Sequence, residues 1–292
     1  MKIEEGYMPF KGLKTYYRVV GEKREGKAPL LLLHGGPGSS HNYFELLDRL
    51  SEQGHQLIMY DQIGCGHSPA PGRKDLFTLQ TWKEELMALR DYLKIDDVHI
   101  LGQSWGGMLL ISYLVDEQPK GIRSAIFSST LSSASLWKQE QERMIRLMPN
   151  DFVDLLLNER PTELNLLNTY QSGEDLYMLQ HASGPITDYS PEPLRRPKLS
   201  GKDAYVTAWG PNEFSPEGNL KEFNYTSSLG EIDVPVLITS GVDDLSTPLV
   251  NKTMHDQLKD SEWILFEKSR HMPFADETKK YLTVLDNWLN KH

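Results

Sequence analysis

The sequence predicts an α/β protein: a mostly parallel sheet flanked by helices, interrupted by an inserted helical cap. Three observations carry this. Short β-rich runs bounded by turn signals alternate with helix-period stretches through residues 1–131. The same alternation resumes over residues 228–292. Between them, residues 132–227 break the rhythm and show no strand pattern.

In chain order, strands are expected near Leu13–Val20, Leu30–Leu33, Gln56–Tyr60, Val98–Leu101, Arg123–Phe127, Val236–Thr239 and Trp263–Glu267. Most are separated by helical stretches. In Leu79–Leu93, for example, Leu79, Trp82, Leu86, Leu89 and Leu93 recur at spacings of three and four. The run Pro29–Leu33 is apolar throughout rather than alternating, the mark of a parallel strand covered on both faces. From Trp137 to Tyr177 the chain reads as helices without a strand. Pro185, Pro191, Pro193 and Pro197 then mark loops, a further helix is expected around Lys202–Trp209, and Lys279–Leu289 reads as a closing amphipathic helix.

Composition narrows the function classes. The chain has 292 residues, 39% hydrophobic and 25% charged, ordinary values for a soluble globular protein. The longest apolar run, Ala28–Leu33, is far short of the roughly 20 residues that cross a bilayer. Met1-Lys2-Ile3-Glu4-Glu5 places two acids where a secretory signal carries its apolar stretch. One cysteine, Cys65, permits neither an internal disulfide nor a multi-thiolate metal site, so the expected address is the cytoplasm. A net charge of −10 without a segregated basic patch argues against nucleic acid.

The strongest chemical signal is Gly102-Gln103-Ser104-Trp105-Gly106-Gly107, between the strand Val98–Leu101 and an expected helix Met108–Val115. A serine on a tight strand-to-helix turn needs small residues two before and two after it, and the turn exposes its hydroxyl at the sheet edge. The backbone N–H of Trp105, at the helix start, is placed to stabilise a developing oxyanion. In His34-Gly35-Gly36-Pro37-Gly38 the glycines let backbone N–H groups approach a ligand. A phosphate loop is the competing reading, but no Lys-Ser/Thr pair follows. His34 reads as a structural hydrogen-bonding residue beneath that loop. A serine hydroxyl needs a base. His271 follows the strand Trp263–Glu267, and Asp243-Asp244 follows Val236–Thr239, so both reach the edge where Ser104 sits. No H-E-x-x-H or clustered His/Cys/Asp set points to a metal or other cofactor.

These segments resemble the proline iminopeptidase (prolyl aminopeptidase) branch of the α/β-hydrolase fold. The matching stretches are His34–Gly38, Asp61–Ser68, Gly102–Gly107, Gly210-Pro211-Asn212-Glu213-Phe214, Gly241-x-x-Asp244-x-x-Thr247-Pro248 and His271, in the family's order across the chain. Within the branch the chain looks closest to lactobacillal proline peptidases, including prolinase-like members acting on small Pro-X peptides. The resemblance implies Ser104 as nucleophile, His271 as base and Asp244 as its orienting acid, chosen over Asp243 by its distance from Thr247-Pro248. It also implies an oxyanion hole from Gly36 and Trp105, and substrate contacts at Gly35 and Glu213, with Glu213 holding the substrate's α-ammonium. Relatives often have a second glutamate directly after the aspartate. Here Leu245 stands there, so the clamp is one carboxylate short unless Asp243 or an acid of the cap substitutes.

Trp105, Tyr205, Trp209 and Phe214 have two readings, a small apolar pocket for a pyrrolidine ring or ordinary packing. Cys65 is either a small buried residue or a neighbour of the site. The expected function is metal-independent release of an N-terminal residue, preferably proline, from short peptides with a free N-terminus. The rivals are an amino-acid amidase or esterase on the same scaffold, an aminopeptidase of broader specificity, and a non-catalytic binding protein. A haloalkane dehalogenase is disfavoured because it needs a carboxylate at position 104.

Overall fold

Four consecutive leucines, Leu30–Leu33, are all fully buried, which a strand permits only when both faces of its sheet are covered. Leu31 and Leu33 point into one core cluster and Leu30 and Leu32 into the other, the period of two that a strand imposes. The computed structural model describes residues 1–158 and 161–292. The expected helical block from Trp137 to Tyr177 therefore includes Glu159 and Arg160, which lie outside the described residues. Among the described residues the strands are β1 (Ile3–Phe10), β2 (Leu13–Val20), β3 (Leu30–Leu33), β4 (Leu57–Tyr60), β5 (Val98–Gln103), β6 (Ile122–Ser128), β7 (Val236–Gly241) and β8 (Ser261–Phe266). They form one sheet in the order β1-β2-β4-β3-β5-β6-β7-β8. β2 runs antiparallel to both its neighbours, and every pairing from β4 to β8 is parallel.

Every strand expected from the sequence is present, with ends within two residues. β1 was not expected. It exposes most of its side chains and buries fully only Met8, so it carries no apolar alternation. Its partner holds it through the full register from Ile3↔Val20 to Phe10↔Leu13, closed by Lys11-Gly12, both at positive φ.

Helices cover both faces. α1 (Leu79–Tyr92) and α2 (Trp105–Ser112) pack on one face. The helical stretch His41–Gln53 covers the other, together with the last helix, Thr278–Lys291, which buries Tyr281, Leu285, Trp288 and Leu289. α2 begins three residues earlier than expected, because the glycines that read as turn residues are its first turn.

Between β6 and β7 the inserted region carries α3 (Ala134–Ile145), α4 (Asn150–Leu157), α5 (Leu164–His181), α6 (Glu192–Arg195) and α7 (Lys202–Ala208). Its two ends meet: Ala134 N donates to Phe223 O at 2.9 Å and Tyr225 N to Ser132 O at 2.8 Å. Its buried side chains, among them Trp137, Ile145, Tyr177 and Phe214, are continuous with the core on the α1–α2 face. The insertion is therefore packed as part of the same body. No helix among the described residues is long and apolar enough to cross a membrane.

Candidate active site

The carboxyl ends of the parallel strands converge, as open α/β sheets place their ligand sites. β5 ends at Gln103 and α2 starts at Trp105, leaving Ser104 at the junction with φ 54° and ψ −123°. This left-handed backbone is unusual for a residue with a side chain, and its neighbours hold it there. Ser104 N donates to Ser128 O at 2.9 Å, and Thr130 Oγ1 donates to Ser104 O at 2.6 Å. The flanking glycines are steric necessities. A Cβ on Gly102 would lie 2.3 Å from Gly106 O, and one on Gly106 would lie 2.0 Å from Leu33 O.

Two loops bring the partners. Beyond β7, Asp244 is buried and accepts hydrogen bonds from Ser129 Oγ (2.6 Å), Ser246 N (2.8 Å) and Gly241 N (3.1 Å). Beyond β8, His271 Nδ1 lies 2.6 Å from Asp244 Oδ1. An ionised carboxylate only accepts, so Nδ1 carries the proton and Nε2 is left to act as a base. Trp137 of α3 sets its ring edge-on to His271 at 6.0 Å. The C-terminal end of α5 braces both loops, since His181 O accepts from His271 N (3.1 Å) and Leu245 N (3.3 Å). A cavity of about 350 Å³ is lined by Ser104, His271, Gly36 and Glu213, among others.

Gly36 takes φ +118°, and its N–H donates to no acceptor among the described residues. Trp105 N–H is at the first helical position, where no carbonyl lies one turn behind it. Two free donors thus flank the serine, as oxyanion stabilisation requires. Gly35 stands differently from expectation. Its N–H donates to Tyr43 Oη at 2.6 Å, and it is not among the residues lining the cavity. A Cβ there would press on Gln103 and Ser104, so its smallness brings the loop against the serine. His34 is fully buried, with Nδ1 2.8 Å from Gly35 O and Nε2 accepting from Gln62 N at 3.0 Å. Burial pushes its pKa down to about 4, keeping it neutral beneath the loop.

Glu213 sits at the cap side of the cavity. Its backbone carbonyl accepts from Trp137 Nε1 (2.8 Å) and Trp209 Nε1 (3.3 Å), and its carboxylate takes a hydrogen bond from Tyr205. Burial raises its pKa against the opposing pull of His271 and Tyr205, and the charge of Glu174 adds to the rise. Glu174 lies on α5 between Tyr170, whose hydroxyl accepts from Asn212 Nδ2, and Tyr177, whose ring meets Phe214. The cap therefore brings a second acid toward Glu213. Asp243, by contrast, is exposed and lines no part of the cavity, while Leu245 is buried.

None of Trp105, Tyr205, Trp209 and Phe214 lines the cavity. Trp105 packs edge-on against Trp82 at 4.9 Å and donates to Gln62 Oε1, Trp209 meets Trp137, and Phe214 meets Tyr177. They support the walls from behind. Cys65 is buried and outside the cavity lining, and burial pushes its thiol well above its ordinary pKa. Sequence spacing also concealed a cluster of His41, Asp61 and His67, whose ligating atoms lie within 4.8 Å of one another. Both Asp61 oxygens already accept from a backbone N–H and an imidazole Nδ1, so the cluster pins the Asp61 loop rather than leaving a metal its ligands. Ser129 and Gln103 were also missed. Nothing in the sequence marks Ser129 beyond its place just past β6, and Gln103 lay inside the serine motif without a role. In the structure Gln103 lines the cavity and bridges Tyr43 to His271 O.

The alpha/beta hydrolase fold family matches residues 28–278. The chain is 53% identical over 292 residues to a proline iminopeptidase of Clostridium botulinum, covering all of both chains. It is also 53% identical over 293 residues to one of Levilactobacillus brevis, covering 100% of this chain and 98% of that one. The chain belongs to the proline iminopeptidase family. The family's fold extends to solved structures. The proline iminopeptidase of Mycobacterium smegmatis superposes with a TM-score of 0.86 at 27% identity, covering 99% of this chain and 98% of that one. VinJ superposes at 0.90 with 30% identity and the same coverage.

Proposed function

We propose that the protein is a serine aminopeptidase that releases N-terminal proline from short peptides, including Pro-X dipeptides, through an acyl-enzyme. The observation that carries this reading is one cavity walled by Ser104, by the Asp244-bonded His271 and by the half-buried acid Glu213. A serine hydrolase needs the first two. An acid in a desolvated pocket is what selects an ammonium, and so restricts cleavage to the bond after the first residue.

In the proposed reaction Ser104 Oγ attacks the scissile carbonyl carbon while His271 Nε2 takes its proton. The oxyanion that forms is held by the N–H groups of Gly36 and Trp105, worth about 3 kcal/mol for each donor in comparable sites. Collapse breaks the C–N bond, and His271 delivers the proton to the departing amine. Water, deprotonated by His271, then attacks the ester, and the regained proton returns to Ser104 as proline leaves. Asp244 holds His271 in the required tautomer throughout. Glu213 pairs with the substrate ammonium, and residues 132–227 act as a cap that excludes folded or long substrates. The lone thiol, buried as Cys65, supports work in a reducing compartment, and we place the protein in the cytoplasm on that ground.

A fluorophosphonate probe should label the protein at Ser104, and Ser104→Ala should abolish both labelling and turnover of a prolyl anilide. An unlabelled wild-type protein would favour a binding function. A labelled protein that turns over acyl esters but not prolyl anilide would favour an esterase.

A further inference from the structure

Beyond Ser104 and Glu213 the cavity continues under the cap, between residues 183–186, the segment around α6 and residues 270–276. Among the described residues four charged side chains line it: Glu213, Lys198, Arg270 and Asp276. Arg270 and Asp276 neutralise each other, with Nη2 3.2 Å from Oδ1 and Nε 3.3 Å from Oδ2, and a further Arg270 donor goes to Leu179 O. Lys198 makes neither an ion pair nor a side-chain hydrogen bond with the described residues.

The backbone around Lys198 is fixed close to the proposed oxyanion loop. Gly66 N donates to Leu199 O at 3.1 Å, and Gly201 N donates to Gly38 O at 2.7 Å. Glu213, by contrast, is anchored to Trp137, Trp209 and Tyr205, deeper in the cap. The lining therefore presents one anionic and one cationic group unmatched by each other, held by different elements on the walls of a single small cavity. This pattern complements a zwitterion, an ammonium at one end and a carboxylate at the other. A cavity of about 350 Å³ is at the lower end for ligand sites, so the two charges belong to a ligand of a few residues at most.

We propose that Lys198 receives the C-terminal carboxylate of the substrate, which makes the preferred substrates free dipeptides or tripeptides rather than the ends of long chains. This inference rests on the aminopeptidase reading above, with the first residue's amine at Glu213 and its carbonyl at Ser104. Because Lys198 is exposed to water, its pairing energy is screened, and a roughly fivefold preference is the expected size.

The test compares Pro-Ala with Pro-Ala-amide, using prolyl p-nitroanilide as the reference substrate within each variant. Wild type should favour the free carboxylate about fivefold in kcat/KM, chiefly through KM, and lose that preference in about 0.5 M salt. Lys198→Met should abolish the preference, Lys198→Glu reverse it and Lys198→Arg retain it. Equal handling of the two peptides by a wild type that turns over the anilide would overturn the inference alone, as would persistence of the preference in Lys198→Met. Failure to turn over any of the three would overturn the aminopeptidase reading and this inference with it.

Discussion

At the scale of single residues, the proposed base depends on a short chain of hydrogen bonds from Ser129 through Asp244 to His271. Asp244→Asn keeps the shape but offers the wrong tautomer to His271, so kcat should fall by roughly 10⁴-fold. Ser129→Ala removes one of several donors to the same carboxylate, leaving Asp244 in place, and should cost about tenfold. Steady-state kinetics on a prolyl anilide checks both, and a larger loss in the serine variant would contradict this ordering. Ser104 and His271 were legible in the sequence because each follows a recognisable strand, whereas the strand before Asp243-Asp244 left two acids open and the family resemblance chose Asp244. Ser129 was not, since its contact is made across 115 positions of sequence and depends on its own positive φ. Gly35 shows the opposite failure. Its place in a glycine-rich motif suggested substrate contact, whereas the fold uses its N–H to hold Tyr43.

At the scale of elements, the β5–α2 junction is the most constrained part of the molecule. Gly106→Ala puts a methyl group 2.0 Å from the carbonyl oxygen of Leu33, where backbone cannot yield without moving the adjoining strand. Overpacking of this kind should cost about 3 kcal/mol, read as a lower denaturation midpoint at unchanged m-value. An unchanged midpoint would mean that the elbow is looser than its contacts require. Seven strands were readable because each is a β-rich run bounded by turns. β1 escaped because an edge strand with polar and exposed side chains has no alternation to read, and its stability comes from pairing with β2. For the four aromatics near the motifs both readings stay open in the sequence, because sequence proximity does not separate a wall from its backing, and the cavity lining favours packing behind the walls.

At the scale of the whole molecule, one buried acid couples folding to pH. Glu85 is fully buried, accepting from the Thr15 hydroxyl and from Ile63 N at 2.9 Å, and burial raises its pKa to about 8. A carboxyl whose folded pKa is raised stabilises the fold below its unfolded value and loses that contribution as pH climbs through about 8. Between those limits the loss is about 1.4 kcal/mol per pH unit. Glu85→Gln should therefore gain stability relative to wild type as pH rises from 5 to 8, measured by urea denaturation. Parallel stability curves would contradict the assignment. At this scale the sequence revealed a sheet interrupted by a helical insertion. It could not reveal how the insertion brings Glu174 and Lys198 toward the site, because the first follows from helix packing and the second from the backbone hydrogen bonds that fix its segment against Gly66 and Gly38. The central claim is that this body of sheet and cap selects a free N-terminus through Glu213. The most direct test is kcat/KM for prolyl p-nitroanilide against its N-acetyl analogue, in wild type and Glu213→Gln. We expect a preference of at least about 100-fold for the free amine in wild type, the range of hydrogen-bonded charge pairs in desolvated sites, and its collapse in the variant. Equal turnover of the two substrates by wild type would contradict the claim.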